Sequence, residues 1–304
     1  DNISHGWMQQ NIPMDLEVLR KWLRAGYVED NRLYPTRKGT PQGGIISPCL
    51  SNMTLDGLER VVRAAVPRRN RVNFVRYADD FIITGKSKRL LERAVKPAVE
   101  RFLTERGLTL SEEKTLITHI KHGFTFLGQT FRKQANVLHI TPANEGVSAL
   151  LRKVGTLIRD HVNAPMPALI KTLNQTLRGW GNYHRHVVAS DAFSRVDRYV
   201  REQLWRMLRR RHQNRSKKWL TKRYWFYDGQ RLILQYTAKT RKGLKRYRII
   251  RLGSIGIRRH RKIKAKANPY TRAYARYFWE RRHDKESRFL PGLTSRESRV
   301  LLAV

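Results

Sequence analysis

Arg76-Tyr77-Ala78-Asp79-Asp80-Phe81 lies between two runs of strand-forming residues. Val72, Phe74 and Val75 precede it; Phe81-Ile82-Ile83-Thr84 follows and is closed by Gly85. Two such runs about a two-carboxylate junction predict a β-hairpin with Asp79 and Asp80 at its tip. Adjacent carboxylates on a rigid hairpin repel each other, and neither is buried cheaply. A hard divalent cation such as Mg²⁺ relieves that repulsion and prefers oxygen ligands. The plain alternative is a solvated turn, since Asp-Asp pairs are common in loops.

The charge of the chain sets this motif in context. Among 304 residues, 63 Lys and Arg stand against 24 Asp and Glu, a net charge of +39. Residues 1–118 hold 20 basic and 14 acidic residues, a net +6; residues 119–304 hold 43 and 10, a net +33. A near-neutral body followed by an intensely basic one predicts a catalytic part with a polyanion-binding extension. A hydrophobic content of 40% excludes a disordered chain. No run approaches the ~20 apolar residues of a membrane span, and no signal peptide is visible. The single cysteine, Cys49, excludes an internal disulfide and a thiolate-cluster zinc site. That fits a reducing setting, a bacterial cytoplasm or an organelle matrix, with no membrane partner.

Further motifs follow outward from the hairpin. Upstream, Leu16, Leu19, Trp22 and Leu23 recur at helical spacing, and Gly26 is a stop. A short strand is expected at Leu33-Tyr34. Pro41-Gln42-Gly43-Gly44 precedes Ser47-Pro48, a helix start with Ser47 as cap and Leu50, Thr54 and Leu58 on one face. Its glycines permit close approach of phosphates or bases; Cys49 is expected as a small buried hydrophobe.

Downstream, Leu91, Val95, Val99 and Phe102 mark a helix, and Gly107 breaks it. Then come Gly107–Thr115 with Lys114, and Phe124-Thr125-Phe126-Leu127-Gly128. Three helical stripes succeed them, on Leu150, Val154, Leu157 and Ile158; on Ile170, Leu173, Leu177 and Trp180; and on Phe193, Val196, Val200, Leu204 and Met207. Short loops between them predict a bundle with Arg on its polar faces, ending in Arg209-Arg210-Arg211. Beyond Trp219, aromatics interleave with Lys and Arg, a mixture suited to base stacking beside phosphate contacts. Strands are expected at Arg231–Tyr236 and Arg246–Arg251.

The series of motifs resembles, in order, that of group II intron-encoded reverse transcriptases with maturase activity. Tyr77-Ala78-Asp79-Asp80 resembles their metal-binding hairpin. The Pro41–Gly44 run resembles the motif lining the template and nucleotide pocket. Phe126-Leu127-Gly128 resembles the primer grip, and Arg178-Gly179-Trp180-Gly181-Asn182-Tyr183-His184 the maturase segment that grips intron RNA. His260 through Asn268 resembles the DNA-binding segment.

The resemblance implies an α+β fold. A reverse-transcriptase palm, an antiparallel sheet with helices, would occupy residues 1–140. An α-helical thumb/maturase bundle would occupy 141–220, and a small basic DNA-binding module 221–304. It implies RNA-directed DNA polymerisation with two Mg²⁺ ions and no zinc. The metal ligands would be Asp79 and Asp80, with Lys114 in catalytic support. Pro41, Gln42, Gly43, Gly44 and Tyr77 would shape the nucleotide and template pocket. Arg178, Trp180, Asn182, Tyr183, His184, Arg209, Arg210 and Arg211 would bind RNA, and His260, Lys262, Lys264 and Asn268 would bind DNA. Expected partners are the group II intron RNA in a ribonucleoprotein, target DNA, dNTPs and a second copy of the chain.

The opening Asp1–Trp7 resembles the end of the family's first catalytic motif. A further metal-binding Asp and the fingers are therefore expected upstream of Asp1, and polymerisation by this chain alone is expected to be incomplete. Nothing resembles the zinc-stabilised nuclease of many members. Two other readings remain: an RNA-binding splicing cofactor that needs no polymerase chemistry, and a host-defence reverse transcriptase, which would lack Arg178–His186.

Overall fold

The structure, a computed structural model, describes residues 2–283 and 300–301 apart from 37, 41–43, 230, 242, 261, 265 and 266. Pro41, Gln42 and Gly43 of the glycine motif therefore lie outside the described residues. The fold is mixed α+β with antiparallel sheets. It divides into two compact units: Asp1–Phe124 with Arg132–Val137 and Thr294–Val304, and Thr125–Phe131 with Leu138–Leu293.

The first unit begins with α1 (His5–Asn11) and α2 (Leu16–Arg24). Their orphan N–H groups are capped by Ser4 Oγ and Asp15 Oδ1, which accept from Trp7 N and Val18 N. Leu19 and Leu23 are buried as the periodicity predicts, while Leu16 and Trp22 lie partly exposed at the margin of the stripe. After Gly26, whose φ is 75°, β1 (Tyr27–Glu29) pairs with β2 (Arg32–Tyr34).

The helix after the glycine motif differs in detail from expectation. In α3 (Ser47–Thr54) the cap position is Ile46, and Ser47 is already helical, with Pro48 in the first turn. Leu50 and Thr54 face inward, but the chain turns at Gly57 (φ 86°) and restarts as α4 (Leu58–Ala64), so Leu58 belongs to a second helix. Cys49 is exposed, because Leu50 takes the core-facing position beside it; its Sγ lies 4.0 Å from Met53 Sδ.

β3 (Asn73–Tyr77) and β4 (Asp80–Thr84) form the predicted hairpin in the register Tyr77↔Asp80, Val75↔Ile82 and Asn73↔Thr84. A long helix follows as α5 (Lys88–Leu90), a π-helical segment (Leu91–Val95) and α6 (Lys96–Thr104). Leu91, Val95, Val99 and Phe102 are all buried, and they pack with Phe81 and Ile83 from the hairpin. Each such side chain contributes about 1.5–3 kcal/mol by leaving water, which holds the hairpin flat on the helices. β5 (Ile117–Thr118) completes a four-stranded sheet in the order β3, β4, a strand at Val300–Leu301, β5.

β6 (Phe124–Phe126), β7 (Gln129–Gln134) and β8 (Val137–Pro142) make a three-stranded sheet in that order. The second unit then holds α7 (Asn144–Asp160), α8 (Met166–His184), α9 (Ser190–Arg211) and α10 (Lys217–Tyr224). The three predicted stripes are inward, with Leu157 and Trp180 at their half-buried edges. The unanticipated α10 starts at Ser216, whose Oγ accepts from Trp219 N at 3.2 Å.

Strands β9 (Trp225–Asp228), β10 (Arg231–Thr240) and β11 (Gly243–Arg248) form a sheet with β10 in the middle. β9 went unpredicted, and β11 lies three residues earlier than the expected Arg246–Arg251. One hydrophobic core runs from Val147 to Leu252 and so crosses the expected boundary between 220 and 221. α11 (Ala275–His283) ends the described part of this unit. Among the described residues, no helix is long and apolar enough to cross a membrane.

Candidate functional site

The hairpin turn consists of Ala78 and Asp79, with Ala78 at φ 55°. Positive φ suits a turn that follows the strand twist, at some strain for a residue with a Cβ. Arg76 Nη1 braces it, donating to Ala78 O at 2.7 Å and to Asn52 Oδ1 on α3 at 2.8 Å. The glycine-motif helix and the carboxylate hairpin are thus fastened by one guanidinium. Neither Arg76 nor Asn52 was singled out from sequence; Arg76 sits inside the quoted motif, whereas Asn52 is recognisable only from the fold.

The strand pleat sends Phe81 and Ile83 into the core and leaves Asp80 on the opposite face beside Tyr77, which is 65% exposed. Asp79 is exposed at the tip. The Asp80 carboxyl is pushed above its ordinary value, first by desolvation and then by the Asp79 charge, while Lys114 pulls it back down. The charges of Asp79 and Lys114 therefore both act on the Asp80 carboxyl. Lys114 is exposed on a turn whose backbone closes through Thr115 N to Ser111 O. Two repelling carboxylates, one desolvated, form a donor set suited to a hard divalent cation. Gly44 is described, and its carbonyl accepts from Ser47 N at the start of α3.

In the second unit, Leu127 and Gly128 form the β6–β7 turn with φ of 48° and 68°. The Arg178–His186 segment holds that turn in place. Tyr183 Oη donates to Leu127 O at 2.7 Å, and Gln129 Nε2 lies 2.9 Å from His186 Nε2. Ala143 N donates to Gly128 O. Phe126 is buried beneath it.

The candidate nucleic-acid contacts separate by exposure. Arg178, Asn182, Arg209 and Arg210 are exposed, and Tyr183 presents half its surface. His184 does not fit the RNA contact expected of it: it is 3% exposed, with its ring 4.5 Å from Trp180 and 4.8 Å from Tyr183. Burial pushes its pKa down to about 4, with the His186 charge adding to that. Trp180 is half-buried and also packs on Phe193, 5.8 Å away.

Arg211 is likewise committed elsewhere. Its Nε donates to Val162 O at 2.8 Å and its Nη2 to Ala164 O at 2.8 Å, with further bonds to Val162 O and His161 O. That guanidinium ties the end of α9 to the loop after α7.

The segment after Gly256 runs along the end of α8: Arg258 N donates to Arg185 O, Arg185 Nε to Gly256 O, and Arg259 Nη1 to His186 O. His260 is exposed, with its ring 4.2 Å from that of His186. Lys262 and Lys264 are exposed, and Lys264 N donates to Tyr277 Oη at 3.1 Å. Asn268 Oδ1 accepts from Tyr270 N, so its side chain shapes a turn.

Comparison with known proteins matches residues 2–131 to the family model "Reverse transcriptase (RNA-dependent DNA polymerase)" and residues 147–225 to "Group II intron, maturase-specific domain". The chain is 28% identical over 197 residues to the group II intron-encoded protein LtrA of Lactococcus lactis subsp. cremoris, covering 43% of this chain and 33% of that protein. It is 27% identical over 219 residues to the putative COX1/OXI3 intron 2 protein of Saccharomyces cerevisiae, covering 53% and 25%. It is 37% identical over 76 residues to the retron Mx65 reverse transcriptase of Myxococcus xanthus, covering 25% and 17%. The chain thus spans about a third or less of the length of these curated relatives.

Proposed function

The chain belongs to the group II intron-encoded reverse transcriptase/maturase family, and on that premise we propose that the protein containing it copies RNA into DNA while its basic part holds the intron RNA. The observation that supports this reading is the Tyr77–Asp80 end of the β3–β4 hairpin, where desolvation and the Asp79 charge raise the Asp80 carboxyl and the Lys114 charge lowers it.

Asp79 and Asp80 would hold Mg²⁺, their charges becoming compatible when a cation lies between them. Mg²⁺ so bound supplies Lewis acidity for the primer hydroxyl and charge for the departing pyrophosphate. Lys114 offers charge or a proton to the pyrophosphate. Pro41, Gln42, Gly43 and Gly44 with Tyr77 would shape the pocket for dNTP and template. Phe126, Leu127 and Gly128 would steer the primer end, kept in position by Tyr183.

Intron RNA would be gripped by the exposed Arg178, Asn182, Arg209 and Arg210, with Trp180, His184 and Arg211 as the scaffold behind them. Target DNA would meet His260, Lys262 and Lys264. The splicing-cofactor reading belongs to the same molecule: the maturase-specific match at 147–225 and the cationic α9 favour it. The two roles separate by mutation in the protein that contains this chain. Asp79→Ala is expected to abolish RNA-templated DNA synthesis and spare splicing. Loss of both together would mean that the hairpin is structural and would overturn the catalytic assignment.

A further inference from the structure

The second unit contains a cavity of about 510 Å³ between α9 and the β9–β10 strands. Its lining carries Arg198, Arg201, Arg231 and Arg251, against a single carboxylate, Asp197. The Asp197 carboxylate is already committed, accepting from Leu252 N at 2.8 Å and Gly253 N at 3.0 Å. Arg251 reaches Asp228 at only 3.8 Å. Four guanidiniums thus share one lining carboxylate, Asp197, which Arg251 and Arg231 both influence, and the excess charge is cationic.

Beneath the rim the walls are apolar. Leu204 and Leu234 are fully buried, and Trp225 is stacked on Trp205 with ring centroids 4.7 Å apart. Trp225 is more than nine-tenths buried, and its Nε1 is a buried donor with no hydrogen-bond partner among the described residues. That atom is closed off from solvent and so contributes nothing to the cavity wall. Guanidiniums set beside apolar and aromatic lining residues combine the elements of a small-ligand site. The chemistry they match is a nucleotide: phosphate for the guanidiniums and a base face for the aromatic lining.

We propose that this cavity takes one unpaired nucleotide of a bound nucleic-acid strand, with its phosphate on Arg201, Arg231 and Arg251 and its base against Trp225. This rests on the RNA-binding reading above and deepens it. A paired base cannot enter, because its edge is engaged and its faces are stacked in the helix. The pocket thereby selects single-stranded segments, whereas exposed arginines such as Arg209 and Arg210 bind any phosphate backbone.

The test measures binding of the full chain to decauridylate RNA, decathymidylate DNA and a ten-base-pair RNA duplex. The double variant Arg201→Gln/Arg231→Gln is expected to lose roughly tenfold for single strands and less than twofold for the duplex. Loss for the RNA strand alone identifies the nucleotide as RNA; loss for the DNA strand alone identifies it as displaced DNA. Equal loss on single strands and duplex would overturn the proposal. Absence of any RNA binding by the unaltered chain would instead contradict the underlying RNA-binding reading. A second measurement needs no variant. Photocrosslinking of decauridylate carrying 4-thiouridine is expected to mark the peptide containing Trp225 and Tyr227, and crosslinks confined to other peptides would overturn the pocket.

Discussion

The hydroxyl of Tyr183 donates a 2.7 Å hydrogen bond to the carbonyl oxygen of Leu127, across 56 residues of chain. Leu127 has a φ of 48°, a conformation that a branched side chain adopts only under constraint. The end of the maturase helix thus holds the turn assigned to the primer. Removing only that hydroxyl, as in Tyr183→Phe, is expected to cost about 1 kcal/mol and to slow primer extension while RNA affinity changes little. Calorimetry and an extension assay on the same variant check the two parts.

His184 makes stability depend on pH in a defined direction. Its folded pKa of about 4 lies below the ordinary 6.5, so the fold favours the neutral ring. That contribution is complete above pH 6.5 and is lost as pH falls toward 4. A shift of this size corresponds to about 3 kcal/mol, and His186, lowered mainly by burial as well, acts in the same sense. Urea unfolding at pH 7 and pH 4.5 should show the decline, and His184→Phe should flatten it.

The three successive arginines at the end of α9 should behave differently. Arg209→Gln and Arg210→Gln are expected to leave stability unchanged and to reduce the salt dependence of RNA binding by roughly 0.7–0.9 per lost phosphate contact. Arg211→Gln is expected to do the reverse, because its guanidinium is committed to carbonyls at 161, 162 and 164. It should lower stability by about 1–3 kcal/mol. Thermal unfolding and salt titrations of RNA affinity separate the two classes.

Two glycines of one helix should respond with opposite sign. A Cβ at Gly181 would lie 2.4 Å from Ile255 Cδ1 and 2.8 Å from Leu252 Cδ2, and Leu252 is fully buried. Gly181→Ala should therefore destabilise by about 1–3 kcal/mol through overpacking. Gly179 meets nothing within 4 Å, so Gly179→Ala should stabilise by about 0.5–1 kcal/mol through helix propensity. Melting curves of the pair decide it.

The elements that proved legible in sequence are those whose signal is local. The carboxylate hairpin has two β-runs about a two-residue turn, and α6 through α9 carry regular apolar stripes that the structure buries. What escaped depends on distant partners. Nothing near Arg211 announces that it will cross to the loop after α7, so a basic run looked uniformly solvated. The side for Cys49 was set by the tertiary packing of Leu50. His184 could have been found, since Leu173, Leu177, Gly181 and His184 recur at helical spacing along the buried face of α8. The cavity beside Trp225 joins residues from 194 to 251 and has no sequence signature at all.

The central claim is that the hairpin carboxylates hold a divalent cation, and titration of the chain with Mn²⁺ under electron paramagnetic resonance tests it without requiring turnover. The unaltered chain is expected to bind Mn²⁺ in competition with Mg²⁺, and affinity should weaken on acidification, starting at a higher pH than an unperturbed aspartate would give, because the Asp80 carboxyl is raised by desolvation and by Asp79. Asp79→Asn and Asp80→Asn should each abolish that binding. Mn²⁺ binding that is absent from the unaltered chain, or that persists undiminished in both variants, would contradict the account.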